Sequence, residues 1–419
     1  MTDRVRTDWR MFSVLMLIVA FGLVMVYSAS SMRADSVIKS NARIQLKKEP
    51  GKSVEQLNEQ AEEAVRNSSA NQVAVASLNF AERQLAAAAL GVLVLFLFKR
   101  LDYRKLGHPH WVFIPLGFLF MLLMGVLVAD PVSHRWYRVP GIGQFQPSEL
   151  AKPALVVFLA WFVSRRQEDI NRWRYTIVPM ALVVGGLIVL VGYGDLGTAA
   201  VLLAPVLAIF FVAGVQRRYF ALAGVLVVLL VARSFYEKPY RLFRITAFVG
   251  LTEEKVAKDP RYAWLRARMA ESNASRDPAY QVRQALIAVG SGGVTGAGLG
   301  QSNQKLGYLP EAHTDFIFGI IGEETGLAGC ILLLCGYLYV FWRGLRLFMV
   351  VKDPLGRYLA LGASTLFATQ ALVNMSVVLN MAPTKGIPLP LISYGGTALV
   401  GMLMLMGLLM SVADRAQEA

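Results

Sequence analysis

Charge is scarce in this sequence: 17% of its 419 residues are Asp, Glu, Lys or Arg, while 55% are hydrophobic. Soluble proteins carry closer to about a quarter charged residues, so a string of soluble domains is excluded. Cysteine is almost missing. Cys330 and Cys335 share one apolar run, five residues apart, and point to different sides of a helix, so neither a disulfide nor a metal pair is expected. Acid is short relative to base, 28 residues against 42, a net charge of +14. In a soluble chain that imbalance would point to nucleic acid. Here most Lys and Arg lie in short loops between apolar runs, which is a membrane-topology signal, and no nucleic-acid partner is expected. No internal repeat is visible, which argues against transporter folds built from duplicated halves.

What the chain does have is apolar runs of roughly 20 residues, the length that carries a helix across a bilayer. Spans are expected at 11–29, 82–98, 111–128, 149–164, 175–193, 197–213, 218–235, 315–342, 357–380 and 390–412. The first follows Arg4, Arg6 and Arg10 but is long for the apolar part of a cleaved leader, so it reads as a retained helix. Basic groups at Lys99/Arg100/Arg104/Lys105, Arg165/Arg166/Arg172/Arg174, Arg217/Arg218 and Arg343/Arg346/Lys352/Arg357 fall on the same side as the N-terminus. The positive-inside rule makes that side cytoplasmic and places both termini there. The expected fold is one all-α integral membrane domain over 1–419, with about ten transmembrane helices. Two long extracytoplasmic loops are expected, 31–81 between helices 1 and 2 and 236–314 between helices 7 and 8. Within the first, 55–66 reads as a solvated or amphipathic helix.

A charge at the centre of a membrane helix costs about 2.5–3.5 kcal/mol on insertion scales, so polar groups there are functional candidates. Four clusters gather near the outer ends of the spans. The first holds Arg135 and Trp136, followed by Gln146, Ser148, Glu149 and Lys152. Pro147 suits a helix start that Ser148 could cap. Glu149 and Lys152, three apart, can pair on one face, either as an interfacial salt bridge or as a cavity wall. The second holds Glu311, His313 and Asp315 at the mouth of the eighth span, with Thr314 available as a cap. Asp315 could take a proton from a substrate hydroxyl, or could merely stabilise the positive helix end. Third, Glu323 and Glu324 sit about two turns deeper, where pairing across the bundle is as reasonable as catalysis. The fourth, 383–397, packs prolines and glycines into a broken approach to the last span and includes Lys385 and Ser393. Such backbone survives at membrane depth only when buried in protein or lining a cavity. Two weaker features are a glycine-rich string at 290–300, with no strand before it to make a nucleotide loop, and Asp195 in a tight outer turn that could face the same cavity.

The strings QPSELAK (146–152), GYLPEAHTDFIFGIIGEE (307–324) and PTKGIPLPLISYGGT (383–397) resemble signatures of the SEDS family, the shape, elongation, division and sporulation proteins of bacteria. The resemblance covers nearly the whole chain apart from the first outer loop. It implies a peptidoglycan glycosyltransferase that polymerises lipid II at the outer face of the cytoplasmic membrane, with undecaprenyl pyrophosphate as leaving group. It maps the essential acid to Asp315 and assigns Trp136, Glu149, Lys152 and Lys385 to the outer cavity. The segments at 309–313 and 383–386 look more like the division branch than the elongation branch. By the same resemblance the partners are a monofunctional class B penicillin-binding transpeptidase and other division proteins of the membrane. No resident metal or cofactor is implied, and a divalent cation, magnesium or manganese, is the one candidate for an accessory role. A lipid II flippase and a non-catalytic scaffold are the competing readings. The sequence departs from the family pattern at its long first outer loop, at His134 where a second arginine is common, and at Gly194 where proline is common.

Overall fold

The computed structural model describes residues 8–46, 70–131, 133–139, 143–237, 244–245, 248 and 278–416. Its elements in chain order are α1 (Trp9–Leu46), α2 (Ala70–Arg100), α3 (Pro109–Ala129), a hairpin of β1 (Tyr137–Val139) and β2 (Gly143–Phe145), α4 (Pro147–Ser164), α5 (Val178–Gly194), α6 (Leu196–Val212), α7 (Arg217–Glu237), α8 (Pro278–Ser291), α9 (Ile317–Val350), α10 (Pro354–Val378) and α11 (Gly396–Ala416). Among the described residues nine helices are long and apolar enough to span a bilayer, and α6 is a shorter apolar helix. Each of the ten expected spans falls on one of these helices. The last begins at Gly396 rather than at 390, because the proline- and glycine-rich approach stays non-helical. Helical backbone also runs on to Leu46 in α1 and starts at Ala70 in α2, inside the segment read as an outer loop. The expected helix at 55–66 and much of 236–314 lie outside the described residues.

Inside a bilayer each backbone polar group needs an internal partner, which is why the apolar runs are helical. Their starts are set locally: Asp353 accepts from Gly356 N at 2.9 Å ahead of Pro354 in α10, and Asp195 caps α6 in the same way. The helices α4, α10 and α11 are buried along most of their length and form the centre, whereas α7 is exposed along its span. Around that centre α10 packs on α4, α6 and α9, and α11 packs on α2 and α4. Lipid tails are as apolar as leucine, so this packing rests on close contact and hydrogen bonds rather than on removal from water.

The two ends of the bundle differ. At the end where α1 begins and α2 and α11 finish, ion pairs join Arg343 to Asp8, Lys99 to Asp414 at 3.3 Å, and Arg415 to Asp102 at 3.3 Å. There Ser411 Oγ also donates to the Leu101 carbonyl at 2.6 Å. At the other end α9 is broken at Gly326, with φ 65° and ψ −167°. The freed backbone is taken up by the glycine-rich string: Leu327 N donates to Gly293 O at 2.9 Å, and Ala297 N donates to Glu323 O at 2.9 Å. The string read as a poor nucleotide loop is thus the hydrogen-bonding partner of a broken helix.

Candidate active site

Asp315 lies in the turn that leads into α9, half-buried, and its backbone is fixed by donors from elsewhere in the chain. The carbonyls of His313, Thr314 and Asp315 accept in turn from Tyr394 N at 2.9 Å, Ser393 Oγ at 2.6 Å and Asn374 Nδ2 at 2.8 Å. Its carboxyl rests against the proline-rich loop: a Cβ on Gly386 would stand 2.8 Å from Asp315 Oδ2, so only glycine admits that approach without displacement. Burial pushes the Asp315 carboxyl up to about 7, with Glu311 and Asp195 adding to the rise and Arg135 and Arg244 opposing it. A carboxyl poised there can act as a base near neutral pH.

Neither Asp315 nor Thr314 caps α9, contrary to one sequence reading; Phe316 occupies the cap position and the Thr314 hydroxyl turns back to Glu311 O at 3.3 Å. Glu311 is exposed, in a left-handed conformation (φ 55°). His313 is buried, its ring 5.8 Å from that of Tyr394 and 6.3 Å from that of Phe80. Lys385 is half-buried beside Gly386 in the proline-rich loop. The Ser393 hydroxyl is engaged on both sides, donating to Thr314 and accepting from Leu389 N at 2.8 Å, and so fastens the loop.

The second group forms around Arg135. Its guanidinium meets Asp195 at 2.6 Å and its Nε donates to the Gly194 carbonyl at 2.9 Å. Asp195 also accepts from Gly197 N and from Thr198 Oγ1, each at 2.9 Å. Arg135 and the half-buried Trp136 are held by a residue that sequence reading missed. Asp130 accepts from both backbone amides, at 3.2 and 3.3 Å, and from the Ser133 hydroxyl. The bond from Ser133 foremost holds the Asp130 carboxyl well below the usual carboxylate range. An Asp-Pro pair at a helix end is a turn signal that could have marked it. The departures at His134 and Gly194 lie against each other, since a Cβ at Gly194 would lie 2.5 Å from the His134 carbonyl. A larger residue at 194 would therefore require this turn to move.

Ser148, Arg135 and Asp195 line one small cleft, so the first turn of α4 joins this group. Ser148 does not cap α4, because Gln146 holds the cap position and donates from Nε2 to Ser148 Oγ at 2.9 Å. Gln146 N approaches Thr397 Oγ1 at 3.4 Å, which sets the start of α4 beside that of α11. Glu149 and Lys152 do pair, at 2.6 Å, with side chains only 2% and 3% exposed. Among the described residues no hydrogen bond or ion pair ties them to the Asp315 group, and Glu149 Oε1 is buried without a partner. Deeper still, Glu324 accepts from Ser28 Oγ at 2.6 Å and pairs with Lys305 at 3.1 Å. Glu323 accepts from Asn303 N at 2.9 Å. These two carboxylates anchor the segment that leads to Asp315. No three His, Cys, Asp or Glu side chains converge as metal ligands among the described residues.

Residues 64–418 match the sequence model of the FtsW, RodA and SpoVE family, described as cell cycle proteins. A probable peptidoglycan glycosyltransferase FtsW of Geobacter sulfurreducens is 36% identical over 345 residues, covering 81% of this chain and 87% of the relative. Stage V sporulation protein E of Bacillus subtilis is 31% identical over 418 residues, 98% of each chain. Among solved structures, a chain from a peptidoglycan synthase complex that coordinates polymerization and crosslinking superposes with TM-score 0.64 at 25% identity, over 99% of both chains. A mutant of the rod shape determining protein RodA of Thermus thermophilus gives 0.58 at 25% identity, over 98% of both. With its membrane-spanning helices and a match along more than four-fifths of its length, the chain belongs to the FtsW, RodA and SpoVE family of multi-pass bacterial inner-membrane proteins.

Proposed function

We propose that this protein is a peptidoglycan glycosyltransferase that polymerises lipid II outside the cytoplasmic membrane, in septal wall synthesis at division. The observation that carries the reading is the Asp315 carboxyl, raised to about 7 by burial at one end of the bundle and flanked by the Arg135–Asp195 pair. Asp315 takes the proton from the 4-hydroxyl of the acceptor sugar. The freed oxygen attacks the anomeric carbon of the donor, the bond from that carbon to the pyrophosphate oxygen breaks, and undecaprenyl pyrophosphate leaves with the electron pair. Attack opposite the leaving group inverts the anomeric centre. Negative charge developing on the pyrophosphate calls for fixed positive charge, and Arg135 and Lys385 are the candidates. Lys152, engaged by Glu149, supports the cavity wall. A divalent cation, magnesium or manganese, would enter with the pyrophosphate whose charge it neutralises, and no step depends on it. A monofunctional class B penicillin-binding transpeptidase is the proposed partner, in line with the synthase complex whose chain this one resembles.

A flippase would need a path open to both faces. The ion pairs that tie α1, α2, α9 and α11 together at the end opposite Asp315 favour the polymerase. The test is reconstitution with the cognate transpeptidase in vesicles carrying lipid II. Glycan chains, without transfer of lipid II between leaflets, support the reading; transfer without chains replaces it with a flippase.

A further inference from the structure

Asn374 projects from α10 with 1% of its surface exposed, in a run otherwise suited to lipid or protein packing. Its Nδ2 donates to two carbonyls from distant segments, Asp315 O at 2.8 Å and Ile387 O at 2.7 Å. Carbonyls only accept, so both amide protons are committed and the orientation of the carboxamide is determined. The cost is visible: Asn374 Oδ1 is buried without a partner. Leaving a buried acceptor unmade costs about 1–3 kcal/mol, so an apolar side chain at 374, which leaves both carbonyls without this donor, would loosen the two segments the asparagine joins. The two carbonyls identify what the asparagine holds. One belongs to Asp315. The other belongs to the residue after Gly386, the glycine against which the Asp315 carboxyl rests.

We propose that Asn374 is a positioning residue for the transfer reaction, fixing Asp315 and the 383–395 loop to each other so that the carboxyl stays desolvated at its working position. The inference rests on the reading of Asp315 as the base. The charges that act on this carboxyl are Glu311 on its own segment, Asp195 at the start of α6, Arg135 after α3 and Arg244 after α7, and Lys385 is the charged residue next to Gly386 in the loop packed against it. Among the described residues none of them hydrogen-bonds to Asn374, so a change at 374 leaves these charges present and alters how the carboxyl is placed and enclosed. Gln370 provides the comparison. It lies one turn earlier on α10, is equally buried, and donates to Pro388 O of the same loop at 2.8 Å, with no hydrogen bond to Asp315 among the described residues.

The experiment is lipid II polymerisation across pH by the complex with its transpeptidase, for wild type, Asn374→Ala, Asn374→Ser, Gln370→Met and Asp315→Asn. A displacement of reacting groups by about 1 Å costs on the order of a hundredfold in rate. Asn374→Ala is expected to lose kcat by at least about tenfold while KM for lipid II changes little, and its acid limb moves to lower pH because water reaches the loosened carboxyl. Asn374→Ser, which keeps one donor, falls between Ala and wild type and serves if the alanine variant does not fold. Gln370→Met keeps the wild-type acid limb. The inference is overturned if the folded Asn374 variants retain wild-type kcat, or lose kcat with the acid limb unmoved. If Asp315→Asn itself still polymerises, the reading of the base fails instead, and the two failures are told apart by that variant.

Discussion

Arg135 and Asp195 meet at 2.6 Å, joining the turn after α3 to the residue that caps α6. They act on Asp315 with opposite sign, Asp195 raising its pKa and Arg135 lowering it. Removing either charge should therefore displace the acid limb of polymerisation in opposite directions, to lower pH in Asp195→Asn and to higher pH in Arg135→Ala. A pH–rate profile of each variant in the transpeptidase complex checks this. Equal displacements in one direction would refute the arrangement.

Stability carries the same signature. A carboxyl raised to about 7 binds its proton more tightly folded than unfolded, so folding loses stability as pH climbs from the ordinary carboxylate range through 7. Asp315→Asn removes that penalty. The variant should unfold at a higher temperature than wild type at pH 8, and the gap should close as the pH falls below the ordinary carboxylate range. Thermal unfolding in nanodiscs at several pH values measures it, and a gap independent of pH would contradict the assigned environment.

Glu149 and Lys152 form a buried pair, and removing one partner of such a pair costs about 3–5 kcal/mol because the other is left charged without compensation. Glu149→Leu and Lys152→Met should each lower the thermal midpoint markedly, and the double variant should recover a large part of the loss. If the double variant is as unstable as the sum of the singles, the two side chains are not coupled.

The break in α9 predicts a different kind of sensitivity. A Cβ on Gly296 would lie 2.2 Å from the Glu324 carbonyl, at a backbone φ of 83°. Gly296→Ala should displace the 290–300 string, weaken the anchor of Lys305 on Glu324 and lower both stability and activity. Gly290→Ala, at a position with open space around the added carbon, should lower neither. Circular dichroism melts paired with polymerisation assays separate the two.

The spans were legible because a bilayer imposes length and apolarity on each helix, and all ten runs fold as helices. Glu149–Lys152 was legible from helical spacing alone. Ends were less so: Ser148 and Thr314 have cap chemistry, yet Gln146 and Phe316 occupy the cap positions, since the chain direction there is set by contacts with α11 and the proline-rich loop. The glycine string at 290–300 could not be interpreted from its own residues, because its partner is the break at Gly326. Asn374 and Gln370 were overlooked among apolar neighbours, although a polar amide at membrane depth is itself a signal. Asp130 was hidden for a simpler reason: its partners are backbone amides, which carry no sequence mark.

The most direct test of the account is lipid II polymerisation by the purified protein with its cognate transpeptidase, wild type against Asp315→Asn, both shown to be folded and complexed. The account predicts glycan chains from the wild type alone. Chains of equal length and rate from the asparagine variant would contradict the assignment of Asp315 as the base.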